Sequence, residues 1–172
     1  MGTSRRTFLK AGGLAALALA AGGAFYRATH TEAPHRFALD GEARAALQAI
    51  APAILAGALP EGTGREAALS STIEGVHQAI LGLPPATQKE VQDLFGLLAL
   101  APARRLLTGI SGGWEAARLE DVSAFLHDWR LHRIKLLRSA YHALHDLVLG
   151  AWYAQPASWA AIGYPGPMKE LS

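Results

Sequence analysis

The segment EDVSAFLHDWRLHRIKLLRSAYHALHDLVLGAWY, from Glu120 to Tyr153, decides the fold. Val122, Leu126, Trp129, Leu136, Ala140, Leu144, Leu147 and Ala151 recur along it at steps of three or four, interrupted only by Arg133. That spacing predicts one long helix with a core-facing stripe. A polar stripe of Asp128, His132, Lys135, Ser139, His142 and Asp146 lies roughly 120° away at ~100° per residue. The remaining flank carries His127, Arg130, Ile134, Arg138, Tyr141, His145 and Trp152. Basic, aromatic and aliphatic groups share that face, which neither solvent nor a plain core explains. It reads as a candidate docking surface, because aromatic and Arg side chains bring large buried area and fixed hydrogen-bond geometry to interfaces.

Working outward, the chain has 172 residues, of which 51% are hydrophobic and 17% charged, enough apolar surface for one domain with a real core. Strong helix formers far outnumber β-branched residues, so the fold class is all-α. Upstream of the long segment, Asp40 is placed to N-cap a helix over 41–59, which Pro52 kinks or splits. A second helix over 65–81 buries Leu69, Ile73, Val76 and Ile80. After Pro84-Pro85, Thr87 and Glu90 form a capping box for a third over 88–100, with Val91, Leu94, Phe95 and Leu98 inward. Pro102 opens a short helical piece, and residues 108–113 form a turn before Trp114. The expectation is a compact helical bundle of about four main helices plus a short one, with residues 25–39 as linker and 40–153 as the helical domain. Residues 154–172 form an extended tail, because Pro156, Pro165 and Pro167 remove donors and restrict their predecessors. The tail either folds back over its own bundle or lies on a partner.

Chemistry-bearing motifs are few. Without cysteine the chain has no disulfide, no thiolate metal site and no covalent haem attachment. His142 and His145, with Asp146 beside them, are the one arrangement suggesting metal ligation, but they straddle two flanks and lack further ligands. Ser111, His127 and Asp128 assemble a hydrolytic site only on paper, with no nucleophile elbow or oxyanion loop. No phosphate loop or dinucleotide fingerprint occurs, and Arg104-Arg105 reads as a solvated helix edge. The 16 basic and 14 acidic residues include Arg5, Arg6 and Lys10 near the N-terminus; setting those three aside leaves 13 against 14, so no nucleic-acid partner is expected.

Arg5, Arg6, the apolar pair Phe8 and Leu9, and Lys10 precede a weakly hydrophobic run over 11–24. This resembles a twin-arginine export signal, and the run falls short of the roughly 20 residues that a ~30 Å hydrocarbon core requires. Residues 1–24 are therefore expected to be a leader, with an uncleaved anchor as the alternative. The resemblance implies a periplasmic protein exported already folded, in some cases membrane-associated, with the twin-arginine translocase as one partner.

That leader, the helix carrying Phe125-Leu126, Trp129-Arg130, Leu136-Leu137-Arg138, Ala140-Tyr141 and Ala143-Leu144, and the tail with Trp152-Tyr153, Pro156, Trp159 and Gly163-Tyr164-Pro165-Gly166-Pro167 together resemble one family. They are similar to the gluconate 2-dehydrogenase subunit 3 type, the small accessory subunits of flavin-dependent alcohol and sugar dehydrogenases of the GMC type. The resemblance implies a non-catalytic escort for a large FAD-dependent dehydrogenase subunit that lacks its own signal. FAD would belong to that partner and no cofactor to this chain, with electrons passing to a quinone or a separate cytochrome. Trp129, Arg130, Arg138, Tyr141, Trp152, Trp159, Tyr164 and Pro165 are the residues expected to dock the partner, and Arg5 and Arg6 those expected to direct export. The competing reading is a free-standing periplasmic helical protein that binds a ligand or metal through His142 and His145.

Overall fold

The computed structural model describes residues 36–159 and 162–166. Among them it contains α1 (Gly41–Ile54), α2 (Gly64–Leu81), α3 (Pro85–Ala99), α4 (Ala101–Thr108), a 3-10 turn (Trp114–Ala116), α5 (Leu119–Leu131), α6 (Lys135–Tyr153) and the one-turn α7 (Pro156–Trp159), with no strand. The all-α expectation holds. The helix count differs, for reasons that lie in particular residues.

The hub is α1, which touches α2, α3, the 3-10 turn, α5 and α6. Ala43, Ala46, Leu47, Ile50 and Ala51 are all essentially buried, and the three alanines let neighbours approach from several sides. Asp40 caps it as expected, its Oδ1 accepting from the Ala43 amide at 2.8 Å. Pro52 lies in the last turn and the helix stops at Ile54, short of Leu59. The core also reaches back into the expected linker. Phe37 is buried, its amide donating to Gln88 Oε1 at 3.1 Å and its ring tilted against Phe95 at 6.0 Å. The Ala38 amide donates to Gln92 Oε1 at 3.0 Å, so the folded domain starts before residue 40.

Helix α3 starts at Pro85, with Pro84 as its N-cap and no side-chain capping bond. The Thr87–Glu90 capping box is not formed. Proline at N1 has its φ preset for the helix and no amide to satisfy, so it wins the start and leaves Thr87 within the first turn. Gln88, freed from that end, turns inward and donates to the carbonyls of Leu81 and Leu83 at 3.1 and 2.8 Å.

The largest correction concerns the long segment, which is two helices. His132 has ψ 142 and Ile134 has ψ 115, both extended. The break is held by Arg138, whose Nη1 donates to the carbonyls of His132 at 2.6 Å and Arg133 at 3.3 Å, and by His132 Nδ1, which accepts from the Ile134 amide at 3.1 Å. The break changes which residues face the core at the start of α6. On α5, Val122, Leu126 and Trp129 are buried as expected, but Leu136 is 72% exposed. Past the break Leu144, Val148, Ala151 and Trp152 are buried and Leu137, Ala140, Tyr141 and Leu147 pack partly on the core, so the expected stripe fails at Leu136 and is regained at Leu144 and Ala151.

Helix α2 buries Thr72, Ile73, Val76 and Ile80 against α6 and α1. A Cβ built on Gly75 would stand 3.1 Å from Ala151 Cβ, so two small residues set the closeness of α2 and α6. We expect Gly75→Leu to cost about 1–3 kcal/mol through overpacking at this contact, read as a fall in the urea midpoint. The Trp114 and Trp129 indoles donate to the Leu98 and Leu107 carbonyls near the ends of α3 and α4 at 3.0 and 2.8 Å, so Trp114→Phe and Trp129→Phe should each cost about 1–3 kcal/mol; an unchanged midpoint would contradict this capping role.

Candidate functional site

The expected docking residues separate into three groups. Trp129 and Trp152 are core. Trp129 is 0% exposed, its Nε1 donates to the Leu107 carbonyl at 2.8 Å, and its ring meets Phe125 edge-on at 5.4 Å. Trp152 is buried beside Ala151 at the α2–α6 contact. Trp129 is buried as its place on the core stripe predicts, and Trp152, expected on the outer flank, is buried too, so neither stands free to dock a partner.

A second group gathers at the start of α6. Arg130 is exposed, while Arg138 is half-buried and occupied with the carbonyls of the break, so its guanidinium is a positioning group for the α5–α6 joint. Tyr141 packs partly on the core with its ring 5.3 Å from His142 and 5.4 Å from His145. His145 Nδ1 lies 3.1 Å from Asp146 Oδ1, and His142 is exposed. Among the described residues no three His, Asp or Glu side chains gather in a way that could hold a metal ion. The metal reading of His142 and His145 therefore lacks a third protein ligand there.

The third group is the tail, and it is not simply extended. Pro156 starts a single helical turn, since proline is as favourable at N1 as it is unfavourable in mid-helix. Gln155 pins its base, donating from Nε2 to the Ala151 carbonyl at 3.1 Å and to Thr72 Oγ1 at 3.3 Å. Ser158 is buried and its hydroxyl donates back to the Gln155 carbonyl at 2.7 Å. Trp159 Nε1 donates to the Tyr153 carbonyl at 2.8 Å, so the tail turns back onto the end of α6. The Tyr164 amide donates to the Trp159 carbonyl at 3.0 Å, the two rings meet edge-on at 5.3 Å, and Gly163 and Gly166 take positive φ to close the turn. A Cβ on Gly166 would lie 3.0 Å from Trp159 Cζ3, so glycine is needed where the chain crosses the indole. Tyr153, Ile162, Tyr164 and Pro165 are left facing outward.

The single docking face expected from periodicity is therefore two clusters at opposite ends of α6, about 28 Å apart for 19 residues at 1.5 Å each. Arg104, read as a solvated edge, is buried. Its Nη1 donates to the carbonyls of Leu98 and Ala99 at 3.5 and 3.2 Å, and its Nε has no partner. Ser111, His127 and Asp128 are all exposed. Gln88, Gln155 and Arg104 were missed as structural residues because each serves backbone carbonyls, which leave no pattern in sequence. Arg5, Arg6, Phe8, Leu9 and Lys10 lie outside the described residues. No helix among the described residues is long and apolar enough to cross a membrane.

Trp159→Ala should raise the exchange rate of the Tyr164 amide by tenfold or more while shifting bundle stability by only about 0.5 kcal/mol, as expected for a locally opening unit. Hydrogen exchange read residue by residue checks this, and unchanged protection of Tyr164 would detach the tail fold from Trp159. Comparisons with protein-family models, with curated proteins and with solved structures find no match to this chain.

Proposed function

We propose that this chain is a non-catalytic small subunit that escorts a signal-less, flavin-loaded dehydrogenase of the GMC type through the twin-arginine route and supports its maturation. The observation that carries the reading is the combination, in one short chain, of the Arg5-Arg6 leader with a Trp159–Tyr164 tail that presents Tyr164, Pro165 and Ile162 outward. A tail whose backbone turn is already fixed by the Trp159 indole loses little entropy on docking, and preorganised aromatic groups suit a partner interface. Trp129 and Trp152 contribute by holding α5 and α6 in place. FAD belongs to the partner in this reading, as does the choice between a sugar and an alcohol substrate. Electrons leave the flavin for a quinone or a separate cytochrome.

The test is a pull-down of the tagged chain from its native host with absorbance of the eluate between about 350 and 500 nm, the region where an oxidised flavin absorbs. A co-eluting protein of dehydrogenase size with that spectrum is expected. Trp159→Ala with Tyr164→Ala should abolish co-elution while leaving the bundle folded by circular dichroism. Arg5→Lys with Arg6→Lys should keep both proteins in the cytoplasm. A colourless, solitary chain would overturn the proposal.

A further inference from the structure

We infer that the joint between α5 and α6 is a docking site for the surface of a bilayer rich in anionic phospholipid. Three large aliphatic side chains stand out into solvent within six residues: Leu131 at 68%, Ile134 at 53% and Leu136 at 72% exposure. They are interleaved with Arg130, Arg133 and Lys135, all exposed, and none of these three takes part in an ion pair among the described residues. The nearest acidic residues along the chain are Asp128 and Asp146, so the joint is locally cationic.

The exposure is built in. Arg138 and His132 fix the break by bonding its backbone, which holds the aliphatic tips outward and prevents them from joining the α6 stripe. Alternating basic and aliphatic groups match the boundary of an anionic bilayer, where aliphatic tips enter the acyl edge and basic groups meet phosphates. A protein partner fits less well, because interface centres are depleted of Lys and enriched in aromatic anchors, and the exposed part of the joint has no aromatic residue. The docking holds whether or not the chain has a dehydrogenase partner.

The chain contains no cysteine, so a single Leu136→Cys substitution can carry an environment-sensitive fluorophore in the full-length protein. A blue shift is expected on vesicles of mixed phosphatidylcholine and phosphatidylglycerol and none on phosphatidylcholine alone. A Leu119→Cys probe, about 18 Å from Leu131 along α5, should not shift, which separates docking by the joint from capture through the N-terminal leader. Replacing Arg130, Arg133 and Lys135 by Ala should weaken the response at Leu136→Cys by about a hundredfold, at about fivefold per charge. A silent Leu136→Cys probe on anionic vesicles, or equal shifts at both positions, overturns the proposal. So does a shift that needs an added dehydrogenase, which would mark the joint as a protein contact. Co-purification with a flavoprotein reads the subunit role independently of every one of these outcomes.

Discussion

Burying the end of a helix leaves carbonyls that water can no longer reach, and this fold has to meet that constraint at several corners. Helices α3 and α4 end at Ala99 and Thr108. The Leu98 carbonyl takes the Trp114 indole at 3.0 Å, the Ala99 carbonyl takes Arg104, and the Leu107 carbonyl takes Trp129. Gln88 does the same work at the α2–α3 turn. Each unmet carbonyl would cost on the order of 1–3 kcal/mol, a large share of the few kcal/mol by which a domain is stable. Trp114 and Trp129 are thus fixed in the core twice, once by burial and once by the backbone carbonyl that each caps.

What was legible in the sequence was local. Asp40 stands directly before its helix and caps it, and Ile73, Val76, Ile80, Val91, Phe95 and Leu98 lie on uninterrupted stripes and are buried. The break at His132–Ile134 was not legible because it contains neither proline nor glycine, and Arg133 at a core position was its only trace. A stripe extended across an unseen break misplaces Leu136 and passes over Val148, although Leu144 and Ala151 on the same stripe are buried as expected. Thr87 with Glu90 failed as a cap for a different reason, since two valid start signals competed and proline at N1 won. Proline was also misread in the tail, where Pro156 starts a helical turn. For the candidate site, the core place of Trp129 is legible in its stripe, whereas Trp152 and Trp159 differ only in what packs against them, which the sequence does not show.

The surface of this chain is divided in character between the two ends of α6. At its start the exposed groups are aliphatic and basic on a rigid joint; at its end they are aromatic and proline-bearing on a folded tail. The two kinds of surface suit different companions, so a membrane-facing end and a subunit-facing end can coexist without competing for the same residues. The charge and the aromatic content that suggest one face in the sequence thus belong to two separate surfaces.

The Gly75–Ala151 contact and the Gln155–Thr72 bond, which joins residues 83 positions apart, tie the last long helix to the second. Synthesis sets the order of events. At ~5–20 residues per second, about 4 to 15 s pass between the emergence of Gly75 and that of Ala151. During that interval Ile73, Val76 and Ile80 have no α6 to cover them, and the alanine-lined sides of α1 await α5 as well. The nascent chain therefore carries this apolar surface uncovered until α6 has been made, the interval in which it is most open to association.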